Sequence, residues 1–94
     1  MTLETAIDED DSRWKEIADS VIGITAEQLG KINREGIEYG RSFIKDLGAD
    51  SLDSVELVMK FEEKYDLHIK EEDANGLLTV RDVANYIFKQ KYQQ

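Results

Sequence analysis

Apolar residues recur at steps of three and four along three stretches of the chain, the spacing that places them on one face of an α-helix. In the first stretch Asp11 or Ser12 can cap the helix, and Gly30 is a natural stop. The last stretch begins at Thr79, and Asp82 three residues later completes a pattern similar to a capping box; it runs to about residue 91. The apolar positions of the first helix are Trp14, Ile17, Ala18, Val21, Ile24 and Leu29.

The middle stretch predicts a helix that begins at Asp50 or Ser51, ends near Tyr65 and carries two apolar stripes. Each residue advances about 100° around the helix axis. With Leu52 placed at zero, one stripe lies at roughly 140° to 240° around the axis and the other at about 300° to 360°. One stripe is enough to dock a helix on a core. The second either widens that core face or forms a binding surface with an acidic rim. The first stripe comprises Leu57, Val58, Phe61 and Tyr65, the second Leu52, Val55 and Met59, and the rim Glu56, Glu62 and Glu63.

The segment between the first two helices, residues 31–49, is long for a connection in so short a chain. Its apolar content predicts that it is pinned to the core, and its length does not require the helices it joins to be adjacent antiparallel partners. A short helix is predicted from Glu71 to about Gly76. The predicted fold class is all-α, with three main helices and a short third one. The apolar residues of the connection are Ile32, Ile37, Phe43, Ile44 and Leu47.

The formal net charge of −9 is concentrated in two blocks. Residues 1–11 contain five acidic residues and no basic one, which predicts a disordered N-terminal extension before a domain at 12–91 and a tail at 92–94. Residues 50–75 contain nine acidic and three basic residues, which suits a surface for basic protein partners or serves solubility alone. Because the chain is this acidic, it should repel nucleic acid and anionic membranes. Neither is therefore an expected partner.

Several classes of chemistry lack the residues they need. The chain has no cysteine, and its single histidine, His68, is expected to be an exposed loop residue. No G-x-S-x-G motif surrounds a serine, so neither a catalytic triad nor a metal site is predicted, and nothing in the sequence argues for an enzyme. No apolar run reaches the roughly 20 residues of a membrane span. No secretory signal is recognisable, so we expect a cytoplasmic protein.

Residues 46–59 read DLGADSLDSVELVM, and this run is closely similar to the phosphopantetheine-attachment motif of type II acyl carrier proteins. The resemblance covers about residues 14–88 and implies a four-helix acyl carrier bundle. It implies that Ser51 receives 4′-phosphopantetheine from coenzyme A through a separate Mg²⁺-dependent transferase, with Asp50 helping to present the site. Lys70 departs from the family, because most members have proline there, so the loop before the third helix is expected to be more mobile.

The resemblance also implies roles for residues beyond the motif. The second helix corresponds to the family's partner-binding helix, which favours the binding-surface interpretation of the second stripe and its rim. Basic patches on fatty-acid synthesis enzymes would dock there, and the carrier itself is expected to be a monomer. The partner-binding residues so implied are Leu52, Val55, Glu56, Met59, Glu62 and Glu63. The residues that line or border the acyl cavity are Val58, Phe61, Ile69, Ala74, Leu77 and Val83, which are also plain core positions.

Taken together, these features predict a carrier that holds acyl groups as thioesters on an arm at Ser51, in fatty-acid biosynthesis. Two alternatives stay open at this point. The first is a specialised carrier for polyketide, lipid or single acyl-transfer pathways, and the second is a carrier-like structural or regulatory subunit of a larger complex.

Overall fold

A computed structural model describes residues 7–30 and 33–93 of the chain, and this part contains four α-helices and no named strand. The helices are α1 (Ser12–Leu29), α2 (Ser51–Tyr65), α3 (Glu71–Ala74) and α4 (Val80–Tyr92), with a 3₁₀ turn at Arg34–Gly36. The prediction of an all-α bundle is confirmed. None of the helices in the described ranges is long and apolar enough to cross a membrane.

The ends of α1 and α4 follow from side chains within a few residues of each boundary. The Asp11 carboxylate accepts a hydrogen bond from the backbone N–H of Arg13 at 2.9 Å, which satisfies one of the free donors of the first turn of α1. That helix ends at Gly30 with φ +70°, a left-handed conformation that glycine adopts without a Cβ penalty. Thr79 and Asp82 form the predicted capping box at the start of α4.

Helix α1 is the central element, because it packs against both α2 and α4. Its end lies beside the start of α2, where Gln28 contacts Asp53, so α1 and α2 are adjacent antiparallel neighbours despite the long connection between them. Near its start, the buried indole of Trp14 donates from Nε1 to Oδ1 of Asn85 on α4 at 2.8 Å. The largest fully buried side chains are Trp14, Phe61, Leu57, Ile87, Val21, Val80, Val83 and Thr25.

The connection between α1 and α2 is pinned to the core as predicted, with one exception. Ile37, Phe43 and Leu47 are buried, whereas Ile44 is 54% exposed; Ile32 lies outside the described residues. The backbone N–H of Phe43 donates to the Leu78 carbonyl at 2.9 Å, which ties the loop to the start of α4. With the loop held there, Phe43 is buried, and the next residue faces the solvent instead of the core.

The predicted acidic extension falls partly on residues 1–6, outside the described part of the chain. Within residues 7–11, Ile7 packs against the core and the Glu9 carboxylate pairs with the guanidinium of Arg81. Arg81 in turn lies 6.0 Å from the centre of the Tyr39 ring. The stretch just before α1 therefore contacts the bundle, and the domain boundaries drawn from the sequence stay a prediction.

Candidate functional site

Ser51 is the first residue of α2, and its side chain is exposed. Within the described residues its hydroxyl has no hydrogen-bond partner. Ser54, one turn later, differs in both respects: it is half-buried, and its Oγ donates to the Asp50 carbonyl at 3.2 Å. The local fold therefore leaves the Ser51 hydroxyl accessible at the end of a helix, where unpaired backbone N–H groups favour an anion.

Asp50 positions Ser51 by capping the helix. Its Oδ1 accepts from the backbone N–H of Asp53 at 2.8 Å, and Asp53 Oδ2 accepts from the backbone N–H of Asp50 at 3.1 Å. These two bonds form a reciprocal capping box, so the backbone on both sides of Ser51 is fixed. The pKa of Asp53 lies below its usual value, chiefly because the Asp50 N–H donates to the charged form and also because the Gln28 amide does.

The two apolar stripes of α2 have different environments. Leu57 and Phe61 of the first stripe are each 1% exposed, at the centre of the core. The second stripe lies on the surface: Leu52 is 64%, Val55 57% and Met59 54% exposed. It is therefore not a widening of the core face. Exposed large apolar side chains at successive turns of one helix are a feature of binding surfaces.

The three glutamates of the rim are held in different ways. Glu63 is exposed. Glu56 is half-buried, and its carboxylate accepts from the Gln28 amide at the end of α1. Glu62 is also half-buried: its Oε2 accepts from the backbone N–H of Ile69 at 2.7 Å and lies 3.3 Å from Nδ1 of the exposed His68. Two of the three carboxylates thus already have partners within the fold.

The residues predicted for an acyl cavity divide between the core and a surface cleft. Phe61, Ile69 and Val83 are buried in the core, and Val58 is half-buried beside it. A mainly apolar cleft of about 270 Å³ lies between the 42–45 loop, α2 and the segment that joins α3 to α4. Of the predicted set it includes Ala74 and Leu77; its other lining residues are Ser42, Phe43, Ile44, Lys45, Ser54, Asn75 and Leu78.

Three residues near the site were missed by the sequence reasoning. Ile44 and Leu78, each 54% exposed, flank the cleft, and Gln28 links the end of α1 to α2. Ile44 directly follows Phe43, and Leu78 directly follows Leu77. In each pair the first residue packs inward, so the adjacent apolar pair was the one sequence signal that the second residue would be exposed. Gln28 lies two residues before the stop at Gly30, but its contact depends on how the two helices cross.

No group of three or more histidine, aspartate or glutamate side chains in the described ranges is arranged to hold a metal ion. The carboxylates near Ser51 are instead engaged by backbone N–H groups and by one amide.

Comparison with known proteins agrees with this arrangement. A family model described as a phosphopantetheine attachment site matches residues 19–87, more than half of the chain. An acyl carrier protein of Bdellovibrio bacteriovorus is 56% identical over 66 residues, which cover 70% of this chain and 83% of that protein. An acyl carrier protein of Sinorhizobium fredii is 47% identical over 74 residues, which cover 79% of this chain and 94% of that protein. The chain therefore belongs to the acyl carrier proteins, and its prosthetic group is a covalently attached 4′-phosphopantetheine.

Proposed function

We propose that Ser51 is the attachment point of the prosthetic group, and that the protein carries acyl intermediates of fatty-acid biosynthesis without catalysing a reaction itself. The observation that supports Ser51 most directly is its exposed hydroxyl at the start of α2, with no hydrogen-bond partner in the described residues. A transferase must reach that oxygen, and its new phosphodiester must stay outside the core. Ser54, the other serine in the motif, is half-buried and bonded to the backbone.

The surroundings of Ser51 fit a phosphodiester. The positive end of the α2 dipole and the free N–H groups of its first turn favour a negative charge there. The capping box engages the Asp50 and Asp53 carboxylates with backbone N–H groups, so neither needs the hydroxyl of Ser51 as a donor. When bound, the group supplies a terminal thiol that can hold an acyl chain as a thioester, a chemistry that a chain without cysteine does not itself provide.

We infer that the exposed stripe of α2 is the surface that partner enzymes bind. Leu52, Val55 and Met59 offer apolar contact area next to Ser51. The exposed Glu63 and the half-buried Glu56 and Glu62 offer negative charge around it. A partner with a basic rim around an apolar patch would match both features. Exposed charge pairs of this kind raise the rate at which the two proteins meet and add little to the lifetime of their complex. That suits a carrier that must leave each enzyme.

We further propose that the cleft beside Ala74 and Leu77 is where an acyl chain enters the bundle. Its lining is mainly apolar, and Ser54 on its α2 side is one turn from Ser51. At about 270 Å³ it is slightly smaller than an ordinary ligand pocket, so a long chain would have to displace α3. That helix is only four residues long, and a hydrogen bond from the Tyr86 hydroxyl to Asp73 at 3.0 Å ties it to α4.

Intact-mass measurement after incubation with coenzyme A, Mg²⁺ and a phosphopantetheinyl transferase tests the attachment point. Wild-type protein should gain about 340 Da, the mass of the arm. Ser51→Ala should gain nothing, and the matched control Ser54→Ala should gain the same mass as wild type. A modified Ser51→Ala variant, or an unmodified wild type, would refute the proposal.

The acyl groups recovered from cells on the carrier test the pathway. A graded series of chain lengths supports fatty-acid synthesis, whereas a single kind of acyl group supports a specialised carrier.

A further inference from the structure

The side-chain amide of Gln28 connects two carboxylates beside the proposed attachment point. Its Nε2 lies 3.3 Å from Oδ1 of Asp53 and also donates to Oε2 of Glu56. An amide nitrogen carries two hydrogens, so each carboxylate can receive one. All three side chains are half-buried, and the contact spans from the last turn of α1 to the first turns of α2.

This contact restrains two groups that would otherwise repel each other. Asp53 and Glu56 are three residues apart on α2, so their charges are neighbours on the helix surface. Asp53 uses its other oxygen in the capping box, so both of its oxygens are engaged. Glu56 uses Oε2 for Gln28, and its Oε1 has no partner in the described residues. Glu56 therefore keeps one acceptor oxygen for a partner while its other oxygen is held by Gln28, one helical turn along α2 from Leu52.

From this arrangement we propose that Gln28 is a positioning residue for partner docking: it holds Glu56 in place so that a lysine or arginine of the partner meets an already ordered carboxylate. The inference rests on the proposed function of the α2 surface. A glutamate side chain that is free to rotate must be ordered when the partner binds, and each such ordering weakens association. Gln28 removes that cost before the partner arrives.

The test uses the transfer reaction with apo-protein as the varied substrate. Gln28→Leu removes the amide at similar size, and Gln93→Leu makes the same change beyond the last residue of α4 as a control. We expect Gln28→Leu to raise KM by roughly three- to ten-fold. Its kcat, and both constants of the control, should stay within about two-fold of wild type. Asparagine has a side chain one carbon shorter than glutamine, so Gln28→Asn should also lose the contact with Glu56 and raise KM. It replaces Gln28→Leu in the test if that variant does not fold.

The background variant Glu56→Gln separates positioning from a general effect on the fold. With the Glu56 charge absent, adding Gln28→Leu should change KM by no more than about two-fold. An unchanged or lower KM in Gln28→Leu would overturn the inference, as would a loss confined to kcat or an equal KM increase in the Glu56→Gln background. An unmodified wild type would refute the proposed function, and the inference with it. A modified wild type with an unchanged variant KM would refute the inference alone.

Discussion

The two stripes of α2 predict a large and a small loss of stability for the same kind of truncation at positions two residues apart. Leu57 is 1% exposed, and a leucine-to-alanine change in a core costs about 2–5 kcal/mol. Met59 is 54% exposed, so truncation removes roughly half of the 1.5–3 kcal/mol that full burial of such a side chain contributes. Alanine also favours the helix slightly more than methionine. Met59→Ala should therefore cost about 1 kcal/mol or less.

Urea unfolding followed by far-ultraviolet circular dichroism measures both costs, and thermal melts repeat the comparison. In a domain of this size about 1 kcal/mol corresponds to a shift of roughly 4–8 °C in Tm. Leu57→Ala should lower Tm by at least about 8 °C or unfold the protein, and Met59→Ala by clearly less. With a partner synthase, Met59→Ala should raise KM while the helix signal stays unchanged. Equal destabilisation by both variants would show that Met59 is a core residue and refute the division of α2 into two faces.

Three further predictions concern the helix start and the core. Asp50→Ala removes the acceptor for the Asp53 N–H and should cost about 1 kcal/mol in urea unfolding, whereas Asp50→Asn keeps a capping oxygen and most of that stability. The depressed pKa of Asp53 means that its charged form stabilises the fold above its ordinary value of 3.8, and this contribution is lost as the pH falls through the depressed value. Asp53→Asn should therefore lose less stability than wild type when the pH is lowered from about 5 to 3; an equal loss would contradict the assignment. Trp14→Phe leaves Oδ1 of Asn85 without its donor and should cost about 2 kcal/mol in the same assay, and a cost below about 0.5 kcal/mol would show that water replaces the indole N–H.

The features that could be predicted from the sequence are those whose causes lie within a few residues. The stop at Gly30 needs only one residue that tolerates a left-handed backbone. The cap at Asp50 and the box formed by Thr79 and Asp82 each span only four residues. Periodicity also separated the two stripes of α2. It could not decide which of them is buried, since that depends on where α1 and α4 pack.

The features that could not be predicted depend on contacts between distant segments. Ile44 is as apolar as Phe43, and which of the two faces inward depends on how the loop backbone is held, by the bond from the Phe43 N–H to Leu78 and the bond from the Ala49 N–H to the Phe43 carbonyl. Glu62 belongs to the acidic rim by its position on the helix, yet the backbone N–H of Ile69 draws it toward the following loop. The bridge from Gln28 to α2 likewise requires the crossing of two helices. A single sequence contains no record of such pairings.

The assignment of Ser51 is tested by locating the prosthetic group on protein purified from its own cells. Fragmentation mass spectrometry of the peptide that contains residues 46–59 separates Ser51 from Ser54 by the fragment ions between them. We expect a phosphodiester-linked arm of about 340 Da on Ser51, part of it loaded with acyl groups that hydroxylamine releases. An unmodified Ser51, or an arm attached to Ser54 or to a serine elsewhere in the chain, would contradict it.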